Sequence, residues 1–336
     1  MRAEDPPVPA EGPAVPEDLL SAVLAPVRLR GVYSSHWSVR APWSVRGRRE
    51  PCAVVHYLCE GSCAVSMPGR ASPLWLGPGD LALFPHGAEH TLADAPATAA
   101  VPLEALLPGR RPGSVGRVSI DGPGEAARLL CGGLHYDEAA APPLYRALPE
   151  VVVLEAAAVA GEPLLQAVLE WLSAGADRGA PGAELVELRA FETVFVLALR
   201  VAALRAGVSS PLLRALRHPG IARALLAVHT RFAEPWSLEA LAAEAGMSRS
   251  AFASAFRGLV GETPGAHLLG RRMQEAARLL GETPVALSAV PERVGYGSTV
   301  GFHLAFRKRF GVTPGEYRRR CEGDGQDGGR ERALPE

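Results

Sequence analysis

The hydrophobic pattern of the chain changes period twice. Between residues 19 and 155 the apolar runs are short and broken by Gly, Pro and Asp: PCAVVHYL, CAVSMPG, PLWLGPGD, LALFPHG, VGRVSIDG and ARLLCGGLHYD. Turn signals at intervals of roughly 8–12 residues predict the strands of an antiparallel barrel or sandwich. From 163 to 207 the period becomes helical. Leu164, Leu165, Val168, Leu169 and Leu172 follow Pro163 and run to Gly175; Leu185, Leu188, Phe191, Phe195 and Leu199 run to Gly207. Proline at the start and glycine at the end are the expected helix punctuation. Both apolar faces are broad: one suits covering the barrel, and for the other plain core packing is a more frequent role than a seam with a second subunit. Residues 1–17, with five prolines and no period, read as a disordered arm, and 321–336 as a disordered tail.

Residues 217–320 are helical again, and here the chain repeats itself. LEALAAEAGMSRSAFASAFRGLVGETP aligns with LSAVPERVGYGSTVGFHLAFRKRFGVTP. Leu238 matches Leu287 and Gly246 matches Gly295. After one inserted residue, Phe252 matches Phe302, Phe256 matches Phe306, Gly261 matches Gly311 and Pro264 matches Pro314. Each copy reads as a helix–turn–helix. Leu238, Leu241 and Ala245 line a short helix, the glycine permits the tight turn, and Ser248 caps a second helix. Phe252, Phe256 and Leu259 then turn inward. Arg249, Ser250, Ala253, Ser254 and Arg257 are left outward, a basic face of small residues that suits a DNA major groove. Between the copies, Pro264–Leu280 is expected to turn Leu268, Leu269, Met273, Ala276, Ala277 and Leu280 inward.

The second copy offers a different outer face: Thr299, Val300, Gly301, His303 and Leu304, with Arg307, Lys308 and Arg309 towards the helix end. Val300 and Leu304 can touch a thymine methyl but cannot hydrogen-bond a base. Pro291 falls inside the first helix of this copy, where an interior proline costs on the order of 3 kcal/mol unless the helix kinks. The first copy is therefore expected to carry most base discrimination, the second to be tolerant.

Composition narrows the class. The 336 residues are 48% hydrophobic and 21% charged, a globular balance with material for two or three domains. The net charge of −1 hides an asymmetry: residues 217–320 hold fifteen Arg and Lys against eight Glu. A basic block on an acidic remainder implies an anionic partner for that block. Apolar stretches near 151–161 and 193–204 are cut by Glu155 and Arg200, short of the ~18 uninterrupted residues of a membrane span. The first residues lack the apolar core of a secretory signal, and five cysteines in such a chain argue for reduced thiols. The expectation is a cytoplasmic protein that does not engage a membrane.

At this point the C-terminal segment resembles the AraC-type DNA-binding domain, two helix–turn–helix units on a long linker helix. The resemblance rests on GMSRSAFASAFRGLVGETP, RRMQEAARLL and VGYGSTVGFHLAFRKRFGVTPGEYR. It departs from that family at Ser254, where Arg is frequent, at His303-Leu304, where Ser-Arg is usual, and at Pro291, where Ala is usual. Nearer the N-terminus, GDLALFPHGAEH spaces Gly79, Pro85, Gly87 and His90 in a way similar to the second cupin motif, with Asp94 close to its usual final Asn. In metal cupins that histidine is a ligand, joined by two His and a Glu from an earlier strand pair. Here VHYLCEGS supplies His56 and Glu60, which with Leu58 share one strand face. Cys131 is a further candidate, and His with Cys suits zinc better than iron. A hydrogen-bonded pocket histidine and a buried thiol are the more frequent roles. Cys59 and Cys63 also share a strand face, read as reduced core thiols.

The resulting expectation is an α+β chain: a cupin-like β-barrel over 18–160, a helical linker and dimerisation segment over 161–216, and an all-α double helix-turn-helix domain over 217–320. The resemblance implies a sequence-specific DNA-binding transcriptional regulator, controlled by a small effector held by His56, Glu60, His90 and Cys131. DNA would be contacted through Arg249, Ser250, Ala253, Ser254, Arg257, Thr299, Val300, His303 and Arg307. No cofactor and no catalytic residue is expected; a homodimer and contact with RNA polymerase are. The alternative is a metal-dependent cupin enzyme with an accessory DNA-binding domain, which needs three good ligands, drawn from His56, His90 and Cys131. No phosphate loop, dinucleotide fingerprint or catalytic triad is present in the sequence.

Overall fold

The computed structural model describes residues 19–24, 29–136, 143–146, 148–174, 180–204, 214–215 and 217–321. The proposed arm, the tail from 322 and the helix ends at Gly175 and Gly207 lie outside them. The chain forms two compact units, one of Leu24–Arg217 and one that includes His218–Glu336.

The first unit is built on two sheets. Their strands are β1 (Leu29–Arg40), β2 (Ser44–Gly47), β3 (Cys52–Glu60), β4 (Cys63–Ser66), β5 (Leu74–Leu76), β6 (Leu81–Phe84), β7 (His90–Ala93), β8 (Val101–Pro102), β9 (Val115–Ile120), β10 (Ala126–Tyr136) and β11 (Val152–Leu154). One sheet runs β11-β6-β3-β10-β1-β9, the other β5-β4-β7-β2-β8. Pairing is antiparallel as the pattern predicts, except that β1–β9 and β2–β8 are parallel. Alternate residues enter a common core, among them Trp37, Val39, Trp43, Val45, Leu58, Cys63, Leu92 and Leu129. The helix Ala183–Leu204 covers the outer face of the larger sheet. Gly132 makes room there: a Cβ would stand 2.5 Å from the Phe191 ring. On the same face the buried Glu187 carboxylate accepts the Ser34 hydroxyl at 2.6 Å and pairs with His36 Nε2 at 2.8 Å.

Several expected faces are corrected. In the helix Pro163–Ala174, Leu165, Leu169 and Leu172 are buried but Leu164 is exposed. Leu185 is also exposed, one turn before Leu188 goes under. The larger correction is Glu60. Strand β3 pairs Leu58 with Leu129, but its next partnership is Glu60 with Arg128, so Cys59 is an extra residue in the strand. The bulge shifts the alternation. Cys59 turns to Ser173 Oγ on the helix Pro163–Ala174 at 3.3 Å, away from the buried Cys63. Glu60 turns to solvent and bonds Arg128 at 2.6 Å.

The second unit is helical: Pro219–Thr230, then Leu238–Glu244 and Arg249–Val260, the linker Pro264–Glu282, then Val290–Arg293, Thr299–Phe310 and 314–321. Hydroxyl side chains of Ser237, Ser248, Thr263 and Ser298 each accept a backbone N–H at a helix start. The helices Arg249–Val260 and Thr299–Phe310 are twins, each twelve residues long and ended by a left-handed glycine, Gly261 or Gly311. Phe252 and Phe256 are fully buried in one, Phe302 and Phe306 in the other. Val260, rather than the half-buried Leu259, completes the inner face of the first. In the linker Leu268, Met273, Ala276, Ala277 and Leu280 are inward as expected, whereas Leu269 is exposed. Pro291 is accommodated by a break. A 3₁₀ turn, Leu287–Ala289, comes first, and the proline occupies the first turn of Val290–Arg293, where its missing N–H has no helical partner to lose.

Candidate functional site

The first unit holds an open-mouthed cavity, about 460 Å³ of free space with the open solvent at its mouth included. Tyr33, Trp37, Val45, Val54, His56, His90, Leu92, Leu103 and Cys131 line it, with Arg48, Glu50 and Arg110 among its polar walls. Strand register assembles the deep end. Ser35, Cys131, His56 and Ala82 are successive partners across β1, β10, β3 and β6. His90 arrives from the facing sheet as the first residue of β7, opposite Gly47. Gly87 has φ +54°, and a Cβ there would strike the Glu50 and Cys52 carbonyls. The spacing of Gly87 and His90 is therefore that of a turn only glycine can make. Asp94 has a local role, accepting the Trp43 N–H and the Thr98 hydroxyl at 2.9 Å each.

One hydrogen-bond chain joins the three predicted residues. His90 Nδ1 lies 2.7 Å from the Ala88 carbonyl, which can only accept, so Nδ1 carries the proton. Neutral His90 then offers a lone pair at Nε2, and His56 Nε2–H donates to it at 2.7 Å. His56 Nδ1 is left to accept the Cys131 thiol at 3.0 Å. The rings of His90 and Phe84 stack with centroids 3.9 Å apart, fixing the plane of the imidazole. Every member is neutral, and burial favours this. It holds His90 below the ordinary histidine value and His56 further below, with the neighbouring ring adding to the effect on His56; it pushes the Cys131 thiol up.

The structure brings His56, His90 and Cys131 together at one cavity. The sequence reading missed Tyr33, Glu50 and Arg110. The Arg110 guanidinium bonds both Glu50 and the Tyr33 hydroxyl and lies over the Tyr33 ring, 4.6 Å from its centroid. Glu60 is absent from the cavity wall. Two nitrogens on one tetrahedral zinc sit about 3.3 Å apart. The 2.7 Å His56–His90 approach is a hydrogen bond instead. Among the described residues no group of three His, Cys, Asp or Glu side chains is placed to hold a metal ion.

The neutral pair has a thermodynamic consequence. Unfolding releases both imidazoles to their ordinary affinity for protons, near 6.5, so below that pH the unfolded chain binds more protons than the folded one. Stability of the first unit should fall as pH drops through 6.5, with a slope approaching about 2.7 kcal/mol per pH unit for two protons. Denaturant titrations at pH 7.5 and 5.5 measure it, and equal stability at both values would contradict the neutral chain.

On the helical unit, Arg249, Ser250, Ser254 and Arg257 are exposed and Ala253 is half-buried. On the twin, Thr299, Val300, Leu304 and Arg307 are exposed and His303 is half-buried. Arg249 Nε lies 3.1 Å from Glu239 on the supporting helix, both side chains well exposed. Five other arginines are structural. Arg223 bonds the Glu244 and Ala245 carbonyls and Arg272 those of Phe232 and Glu234. Arg231 pairs with Glu244; Arg271 and Arg278 pair with Glu275.

A two-sheet unit around a buried pocket, followed by two capped helix–turn–helix repeats on one linker helix, defines a DNA-binding regulator with its own sensor domain. The chain matches the cupin family over residues 18–203 and a helix-turn-helix domain over 241–320. The chain belongs to the cupin family, and its paired domains make it a DNA-binding transcriptional regulator of the AraC type. It is 25% identical over 307 residues to the HTH-type transcriptional regulator AlkR of Acinetobacter baylyi, covering 90% of this chain and 99% of that one. It is 28% identical over 306 residues to the HTH-type transcriptional regulator MtrA of Neisseria gonorrhoeae, covering 90% and 98%. Among solved structures, the C-terminal domain of the response regulator AraT from Geobacillus stearothermophilus is 31% identical and covers 30% of this chain and 84% of its own, with a TM-score of 0.29. Among the described residues no helix is long and apolar enough to cross a membrane.

Proposed function

We propose that a small effector enters the cavity of the first unit and that its occupancy governs how the helical repeats bind a promoter in the cytoplasm. The observation that carries this is the cavity lining: the neutral His56–His90–Cys131 chain forms one wall, apolar Trp37, Val45, Val54 and Leu92 form others, and Arg48, Glu50 and Arg110 add charge. An apolar lining with a few polar groups, here Arg48, Glu50, Arg110 and Tyr33, suits recognition of a small molecule. Nothing in the His56–His90–Cys131 chain is an activated nucleophile or base, since burial opposes both thiolate and imidazolium. The pocket is read as a sensor with no chemical step.

The DNA surface comprises Arg249, Ser250, Ala253, Ser254 and Arg257 in the first repeat and Thr299, Val300, His303 and Arg307 in the second. The exposed Leu185, Val186 and Val196 on the helix Ala183–Leu204 support pairing of two chains through that helix. RNA polymerase is the partner a promoter-bound activator would meet.

A thermal-shift screen of small molecules against the full chain tests the sensor role. A ligand at 100 times its Kd raises stability by about 2.7 kcal/mol. Compounds that do so should also change promoter affinity. His90→Ala should abolish both responses while leaving ligand-free DNA affinity within about threefold, because the variant lies in the other unit. A His90→Ala chain that still responds would contradict the assignment.

A further inference from the structure

The twin recognition helices share a plan and differ in surface chemistry. Ser250 and Ser254 face outward from the first; fifty residues on, at the matching positions, stand Val300 and Leu304. These are the most exposed large hydrophobic side chains among the described residues, at 70% and 67%. They are not displaced core residues, because Phe302 and Phe306 already fill the interior of the same helix. Four residues apart, they are neighbours on one helix face, with Cβ atoms about 5–6 Å apart. That separation spans one or two base-pair steps of about 3.4 Å.

The surroundings say what covers the patch. Arg307, Lys308 and Arg309 stand at the far end of the helix, exposed, a setting that attracts a polyanion. Within the major groove, the thymine C5 methyl is the apolar feature of the base edges. Aliphatic side chains flanked by cations therefore complement a thymine-bearing duplex.

We propose that Val300 and Leu304 are the base-reading residues of the second repeat, and that they recognise the C5 methyl groups of two thymines. This rests on the reading that Thr299–Phe310 enters a major groove. It makes the second half-site selective at two positions and tolerant elsewhere. The first repeat reads through hydrogen bonds and the second through apolar contact.

Deoxyuridine tests this directly, because it removes the methyl and leaves the charge and hydrogen-bonding edges of thymine intact. The duplex is one selected from random DNA by the full chain, with thymines of the second block replaced one at a time. The wild-type chain should lose about 3- to 10-fold in affinity per methyl, the range for burying one such group. The variant V300A/L304A, checked for an unchanged melting temperature, should bind both duplexes equally. Equal wild-type binding to thymine and uracil duplexes overturns the proposal, as does a variant that keeps the discrimination. If the wild type binds salt-sensitively but ignores the methyls, only this proposal fails and the patch faces a protein. If it selects no duplex, the groove reading fails with it.

Discussion

Raising salt from 50 to 200 mM should weaken DNA binding by the fragment 217–320 about 1,000-fold. The segment holds fifteen Arg and Lys against eight Glu, but the structure shows that not all are free. Arg223, Arg231, Arg271, Arg272 and Arg278 are tied to carbonyls or carboxylates within the fold. Arg257, Arg293, Arg307, Lys308, Arg309, Arg319 and Arg320 remain exposed. If six cations replace condensed counterions, the log–log slope of affinity against salt is about −5, and a fourfold rise in salt costs about three decades. Fluorescence anisotropy with labelled duplex across that range gives the slope. A slope near zero would mean that these cations do not meet phosphate.

Arg249→Ala should reduce discrimination between the preferred and mismatched first half-site by about 5- to 150-fold, the loss of one bidentate Arg–guanine contact of about 1–3 kcal/mol. Arg249 opens the first recognition helix with its side chain exposed, and its partner Glu239 is exposed as well. Water already screens that pair, so a guanine edge can replace the carboxylate at small cost. Thr299 occupies the matching place on the twin helix, and Thr299→Ala should change little. Competition binding with matched and mismatched duplexes separates the two variants. Equal losses would show that the repeats contribute alike.

What the sequence revealed depended on the range of the interactions. The repeat was legible because Phe spacing, serine caps and left-handed glycines are local, and the same residues set both the helix and its ends. The cavity histidine was legible because Gly87 and His90 encode one turn. His56 followed from strand alternation, an argument that failed two residues past Leu58, where the extra Cys59 carried Glu60 into solvent; Cys131 stood out only as a thiol able to act as a ligand. No local pattern announces a bulge. Arg110 was invisible for a related reason: it sits in an irregular loop and reaches Tyr33 and Glu50 only through the folded sheets. Leu164 and Leu185 read as core because periodicity marks a stripe but not which turn of it the partner covers.

The central claim is that this chain is a sequence-specific DNA-binding regulator whose two repeats read unequal half-sites. Selection of binding sites from random duplex DNA by the purified full chain tests it most directly. The account predicts an enriched site with one sharply defined block and, about one helical turn away, a second block constrained only at thymines. Two equally sharp blocks would contradict the asymmetry, and no enrichment over the starting pool would contradict the claim itself.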